Sequence, residues 1–328
     1  MLDVKLTTLR GWWEATSSTL DALQANPETA AEERKSFAVG RTVHYECSPL
    51  LRIGKPLQHT TRRPKVAIVR EEGSNGDREM AAAFMAAGFE PTDVSMNDIR
   101  TGAVDSLDRF QGVAFPGGFS FADAGGSARG WAMSFLFDKR VQTMFDRFYD
   151  REDTFSLGVC NGFQLMTAIG WLPERGMPIA SQPRLGHNRS KRFESRWLAV
   201  RVPPNPALMM NGMEGAVLGI HGAHGEGRLH IPDPRVADSI RKKQLVPLAY
   251  VDMDGAPTEA YPYNPNGSPE GWAALCSEDG RHLGMMPHPE RCFLPWQWPH
   301  VPRTWHDSFE KSPWLRMFDN ARDWCLMH

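Results

Sequence analysis

Residues 156–164 read SLGVCNGFQ, an apolar run that ends at Cys160 with a glycine two residues to either side, Gly158 and Gly162. A strand that breaks sharply into a helix needs this pattern, because the glycines keep side chains off the turn and leave the thiol presented. A cysteine is by default a small buried hydrophobe. At the amino end of a helix, however, the aligned peptide dipoles favour its thiolate, the nucleophilic form. Such a nucleophile needs a proton carrier, and MMPHPER, residues 285–291, offers one. His288 and Glu290 stand two apart, interleaved with Pro287 and Pro289. Prolines favour an extended backbone, in which residues i and i+2 face the same side. The carboxylate could then hold the imidazole from behind and support its cation. The local sequence also allows a blander arrangement, with Glu290 in a surface pair with Arg291 and His288 in a turn. For an oxyanion, the amide of Asn161 and the Gly117-Gly118 loop are the expected donors, although Gly-Gly equally suits an ordinary strand-to-helix turn.

Other patterns carry less. HGAHGEGRLH, residues 221–230, supplies His221, His224 and His230, but the spacing matches no common zinc site. We read it as a Gly-rich, substrate-facing loop without metal. GSNGDREM lacks the lysine of a phosphate loop, so ATP is not expected there. The five cysteines are odd in number, scattered and never in a CxxC pair, which argues against a disulfide framework and fits a reducing compartment.

The elements that must position these residues are legible after Pro64. KVAIV, FEPTDVSM, GVAFPGG and TFSLGVC read as strands, and DREMAAAFMAAG, GWAMSFLF, RVQTMFDRFYD and GFQLMTAIGWL as helices. That alternation predicts an α/β fold, a doubly wound, mostly parallel sheet with helices on both faces. Sites in such sheets form at the carboxyl ends of strands, where Gly117, Gly118 and Cys160 fall. RWLAVRV, GAVLGI, VPLAYVD, WAALCS and HLGMM read as further short strands. Before Pro64, LRGWWEATSSTLDALQANPETAAEER has helical spacing, and SPLLRIGKPLQHTTRRP reads as a linker. Lys and Arg total 37 against 39 Asp and Glu, with no basic stripe, so nucleic acid is not an expected partner. No run is apolar for the roughly 20 residues of a membrane span, and the first residues lack the blocks of a signal peptide. The expected location is the cytoplasm.

GVCNGFQ with MPHPER resembles the triad, class I glutamine amidotransferases. KVAIVREEGSNGDREMAAAF, GVAFPGGFSFADAGGSARGWA, HNRSKRFESRW, AHGEGR, YPYNPNGSPEG and SPWLRMFDNARDW narrow the resemblance to the glutaminase domain of phosphoribosylformylglycinamidine synthases. It implies Cys160 as nucleophile, His288 as base and Glu290 as its orienter. It further implies that Gln164 contacts the glutamine substrate and that His224-Gly225 lines its pocket. The implied domains are a synthetase tail plus linker, residues 1–63, and an amidotransferase domain, residues 64–328. No cofactor is implied in this chain, with ATP and Mg belonging to a synthetase part in cis or in trans. Without that part, the first 60 residues are expected to be loosely held. Phe121 stands where the family usually has tyrosine, which bears on the oxyanion loop. A non-catalytic interaction module, or a cysteine hydrolase of other specificity, are the alternative functions.

Overall fold

The computed structural model describes residues 3–38, 43–53 and 62–328. Two helices, α1 (Leu6–Gln24) and α2 (Pro27–Ser36), and a short α3 (Pro49–Ile53) precede the body. The body begins β1 (Lys65–Arg70), α4 (Asp77–Ala86), β2 (Glu90–Ser95), α5 (Met96–Thr101), β3 (Gly112–Phe115), α6 (Arg129–Phe137), α7 (Lys139–Asp150), β4 (Phe155–Val159) and α8 (Asn161–Ala168). It continues β5 (Arg184–His187), β6 (Glu194–Arg201), β7 (Val217–His224), β8 (Glu226–His230), α9 (Pro234–Lys242), β9 (Ala249–Tyr250), β10 (Ala274–Cys276), β11 (His282–Met285) and α10 (Leu315–Met327).

A six-stranded sheet in the order β10-β11-β4-β3-β1-β2 forms the centre. Every pairing in it is parallel except β10 with β11 at one edge. Its inner strands are continuous apolar runs because neighbouring elements cover them; all residues of β3 and β4 are buried. Phe115 of β3 meets Trp131 of α6 at 5.8 Å, and Phe135 meets Phe145 of α7 at 4.5 Å. Elsewhere in the core Phe84 of α4 packs on Phe318 of α10 at 5.0 Å. Each such ring, fully buried, contributes about 1.5–3 kcal/mol. A three-stranded antiparallel sheet β7-β6-β9 and the pair β5-β8 make up the second half.

Because β3 pairs with the opposite edge of β1 from β2, the strand order reverses between β1 and β3. In open sheets of this kind the crevice at such a reversal is where sites form. The segments after β1, β3, β4 and β11 all leave the sheet there, since the four strands run parallel.

Three expectations need correction. The helix after Cys160 stops at Ala168, with Gly170 at φ 75°, so Ile169 and Gly170 lie beyond it. Residues 221–230 are not a loop: β7 runs to His224 and β8 starts at Glu226, with strand pairing satisfying the backbone of a Gly-rich run. The stretch read as a linker carries structure of its own at Pro49–Ile53, which is helical and buries Leu51 and Arg52; residues 54–61 of that stretch lie outside the described residues. Finally, α2 is tied down. Asn26 caps it and donates from Nδ2 to the Arg189 carbonyl at 2.9 Å, while Glu33 pairs with Arg196 at 2.6 Å and Glu32 with Arg189. Arg196 also holds the buried Glu194 at 2.6 Å. By contrast α1 has no buried residue and touches the body through Asp21, 2.7 Å from Arg192.

Candidate active site

Cys160 links β4 directly to α8 with φ 52° and ψ −107°, a conformation that side chains avoid unless the surroundings enforce it. The enforcement comes from the flanking glycines. A Cβ on Gly162 would lie 2.0 Å from the Phe115 carbonyl oxygen, and one on Gly158 would lie 2.6 Å from that of Gly162. Only a bare backbone lets α8 press onto the ends of β3 and β4. The Cys160 N–H donates to the Met285 carbonyl at 2.8 Å, fastening the elbow to β11.

β11 in turn delivers the histidine. His288 is extended (φ −105°, ψ 92°), and its N–H donates to the His221 carbonyl of β7 at 2.8 Å. Pro289–Arg291 then form one turn of 3-10 helix. The His288–Glu290 contact therefore arises from a tight turn rather than from the extended run that the prolines suggested. His288 Nδ1 and Glu290 Oε1 are 2.6 Å apart, and both side chains are shut off from solvent. That removes the surface-pair alternative; Arg291 lies closer to Glu79, at 3.4 Å, than to Glu290, at 4.0 Å.

Gly117 brings the two halves together. A Cβ there would be 2.8 Å from His288 Cε1 and 3.5 Å from Cys160 Cβ, so imidazole and thiol pack against the same backbone. The thiol is turned toward the Ala223 carbonyl at 3.7 Å, and His288 Nε2 has no partner in hydrogen-bond geometry. Catalytic hydrogen bonds often tighten only when substrate is present. Burial works against an imidazolium here, but the Glu290 carboxylate, the Cys160 sulfur and the hydrogen bond to Glu290 outweigh it. Together they raise His288 from 6.5 to about 9. His224 goes the other way: burial, with the nearby charge of His288, pushes it down to about 4, so it is neutral at pH 7.

Gly117 and Gly118 pair with the loop after β1: Asn75 and Gly76 donate to the Gly117 carbonyl, each at 3.1 Å, and Gly118 forms a bridge with Ser74. Among the described residues their own N–H groups donate to no backbone carbonyl. As the first residue of α8, Asn161 likewise has no intrahelical acceptor for its N–H. Gln164 is occupied within the chain: Nε2 donates to the Glu226 carbonyl at 2.6 Å, and Oε1 accepts from Asn161 Nδ2 at 3.2 Å. Gly225 is the one-residue bend that joins β7 to β8, its carbonyl accepting from the Asn188 N–H at 3.0 Å. Asn188 was not singled out from sequence, yet it fixes His224 twice. Its Nδ2 donates to the His224 carbonyl at 2.7 Å and its Oδ1 meets His224 Nδ1 at 3.1 Å. Its place in HNRSKRF gives no local signal of that role.

Buried polar atoms without partners gather on these residues: Asn161 Oδ1, His224 Nε2, His288 Nε2 and Glu290 Oε2. Unpartnered buried groups are rare, and several in one place leave capacity for a polar ligand. Among the described residues no cluster of three or more His, Cys, Asp or Glu could hold a metal ion, and no helix is long and apolar enough to cross a membrane. His221 Nε2 faces the Gln297 carbonyl at 3.2 Å, and His230 is exposed.

The structure thus sets an elbow cysteine beside a carboxylate-held histidine at the carboxyl ends of a parallel sheet, and comparison with known proteins gives the family. A family model for the CobB/CobQ-like glutamine amidotransferase domain matches residues 63–325, and the chain belongs to that family. It is 50% identical to phosphoribosylformylglycinamidine synthase of Dictyostelium discoideum over 98% of this chain and 25% of the relative. The likeness to the Homo sapiens synthase is the same, 50% identity over 99% of this chain and 25% of the relative. The chain thus spans about a quarter of the length of these relatives. A chain of the PurLQS structure from Thermotoga maritima superimposes with TM-score 0.58 and 25% identity, covering 80% of this chain and 99% of that one.

Proposed function

We propose that the chain is the glutamine-hydrolysing part of a phosphoribosylformylglycinamidine synthase, with Cys160, His288 and Glu290 as its triad. The observation that carries this is the packing of an elbow cysteine and a Glu290-held His288 against one glycine, Gly117. Cys160 Sγ attacks the side-chain amide carbon of glutamine, its proton being carried by His288. The developing oxyanion is met by the N–H groups of Asn161 and of the Gly117-Gly118 loop. The C–N bond breaks as His288 protonates the departing nitrogen, giving ammonia and a glutamyl thioester. Water, deprotonated by His288, then attacks the thioester; the C–S bond breaks, glutamate leaves and the proton returns to Cys160–His288. Gln164, His224 and Gly225 border the substrate, Gln164 by holding the β8 backbone in place.

The finer fold assignment is a doubly wound class I amidotransferase sheet. It is supported by α4 packing on β1 and β2 while α8 packs on β3, β4 and β11. Residues 1–63 would be the tail of a synthetase part and its linker, and 64–328 the amidotransferase domain, acting in the cytoplasm. ATP and Mg would serve only the synthetase part, which would use the ammonia to aminate formylglycinamide ribonucleotide. The exposed Leu6, Trp12, Trp13 and Leu23 of α1 are the surface we assign to that part. The test is glutamine hydrolysis by the chain alone, and then with the synthetase portion of a relative, ATP and the nucleotide. A slow basal rate that rises on addition is expected. Full activity alone, indifferent to the partner, would favour a free-standing cysteine hydrolase, and no activity in either mixture an interaction module.

A further inference from the structure

The turn that presents Glu290 is closed from behind by residues of the segment that follows it, Trp298 and Ser312. Cys292 caps Pro289–Arg291, and its carbonyl accepts both Trp298 Nε1, at 2.9 Å, and the Ser312 hydroxyl. Trp298 Nε1 also lies 2.9 Å from Ser312 Oγ, so indole, hydroxyl and carbonyl form one closed knot. Ser312 is 1% exposed and Cys292 fully buried, which keeps water from replacing either donor. The Cys292 thiol donates back to the His288 carbonyl at 3.3 Å, so the knot grips the turn from its His288 end to its cap. Trp298 is itself wedged among Trp197 at 5.1 Å, Phe309 at 5.3 Å and Tyr45 at 6.1 Å. The N–H of Trp314 further ties Ser312 to this position, and its indole donates to the Gly219 carbonyl of β7 at 2.7 Å.

We propose that Ser312 and Trp298 are positioning residues for glutamine hydrolysis, acting through the Cys292 carbonyl to hold the one-turn helix at the angle that keeps Glu290 against His288 Nδ1. The proposal rests on the triad reading above. A 3-10 turn has poor intrinsic hydrogen-bond geometry and short length, so its orientation depends on what fixes its ends. One end is set by His288, whose N–H donates to the His221 carbonyl of β7, and the other by this knot. Neither residue touches the place where substrate would sit.

Ser312→Ala, Ser312→Thr, Trp298→Phe, Glu290→Gln and the double variant Glu290→Gln/Ser312→Ala are compared in the full chain for glutamine kcat, KM and pH profile. Losing one of two donors to a buried carbonyl corresponds to about a tenfold effect. We expect Ser312→Ala to lower kcat about tenfold with KM nearly unchanged, and its alkaline limb to move to lower pH. Threonine, which keeps the hydroxyl, should restore most of the rate. On the Glu290→Gln background, Ser312→Ala should cost less than about twofold more, because the group it positions is already gone. An equal loss in both backgrounds, or a Ser312→Ala variant with wild-type kcat and pH profile, overturns the proposal. Should Ser312→Ala fail to fold, Ser312→Cys, close in size but a much weaker donor, carries the same prediction; Trp298→Phe removes the indole N–H together with part of the packed ring and should lower kcat at least as far. A Glu290→Gln variant with wild-type kcat would instead overturn the triad reading itself.

Discussion

Two helices of this molecule have apolar sequences and opposite fates. In α8 every residue from Asn161 to Thr167 is buried, whereas in the longer α1 none is, and Trp13 is 85% exposed. Composition does not separate them. What does is the neighbour: α8 is clasped by β3, β4 and β11, while α1 rests on α2 and one ion pair to the body. The site is built where the chain is over-determined, because a strained Cys160 persists only if its surroundings enforce it. The apolar surface of α1 has no such partner here, which fits a chain spanning a quarter of its relatives' length.

The comparison can be broken first at the elbow. Cys160→Ala should abolish glutamine hydrolysis while circular dichroism and melting stay near wild type, since a small side chain suits the turn; retention of an appreciable rate would remove Cys160 from the chemistry. Glu290→Gln should cost up to about 10⁴-fold in kcat. It should also shift the pH profile. In the parent, His288 keeps its proton up to about pH 9, so activity should fall on the alkaline side there as the donor to the leaving nitrogen is lost. Without the carboxylate the lowering effect of burial remains, and the alkaline limb should move to lower pH. A limb that stays in place would show that Glu290 does not set the imidazole's basicity.

One substitution made in both helices should change sign. A Cβ at Gly162 meets the Phe115 carbonyl at 2.0 Å, whereas nothing lies within 4 Å of one at Gly11. Gly162→Ala should destabilise by about 1–3 kcal/mol or more and impair activity. Gly11→Ala should stabilise by up to about 1 kcal/mol through helix propensity alone. Urea denaturation of the two variants decides; effects of the same sign would mean that α1 is packed as tightly as α8. The smallest effect is expected at the joint: Glu33→Ala removes the pair with Arg196, worth about 1 kcal/mol or less. Limited proteolysis should then clip the first helices sooner, with glutamine hydrolysis unchanged.

Much of this was legible before the structure. β1, β3 and β4 show as apolar runs because strands covered on both faces have no polar side to alternate with. The elbow is legible because Gly158 and Gly162 have no other local purpose. β8 was not, since EGRLH is polar and glycine-rich and becomes a strand only by pairing with β5. α5 and α9 were not read from the sequence either: both are short, and Ser95 and Asp233 are seen to cap them only in the structure. Asn188 meets His224, and Ser312 meets Cys292, through contacts distant in sequence, which spacing cannot reveal.

The central claim, that Cys160 is the nucleophile for the side-chain amide of glutamine, is tested most directly by covalent capture. The chain is incubated with a diazoketone analogue of glutamine and its peptides are weighed by mass spectrometry, with glutamine as competitor. The account predicts a single adduct on Cys160, suppressed by glutamine and lost in Cys160→Ala, with Cys47, Cys276, Cys292 and Cys325 unmodified. An adduct on another residue, or labelling of Cys160 that glutamine does not suppress, would contradict it.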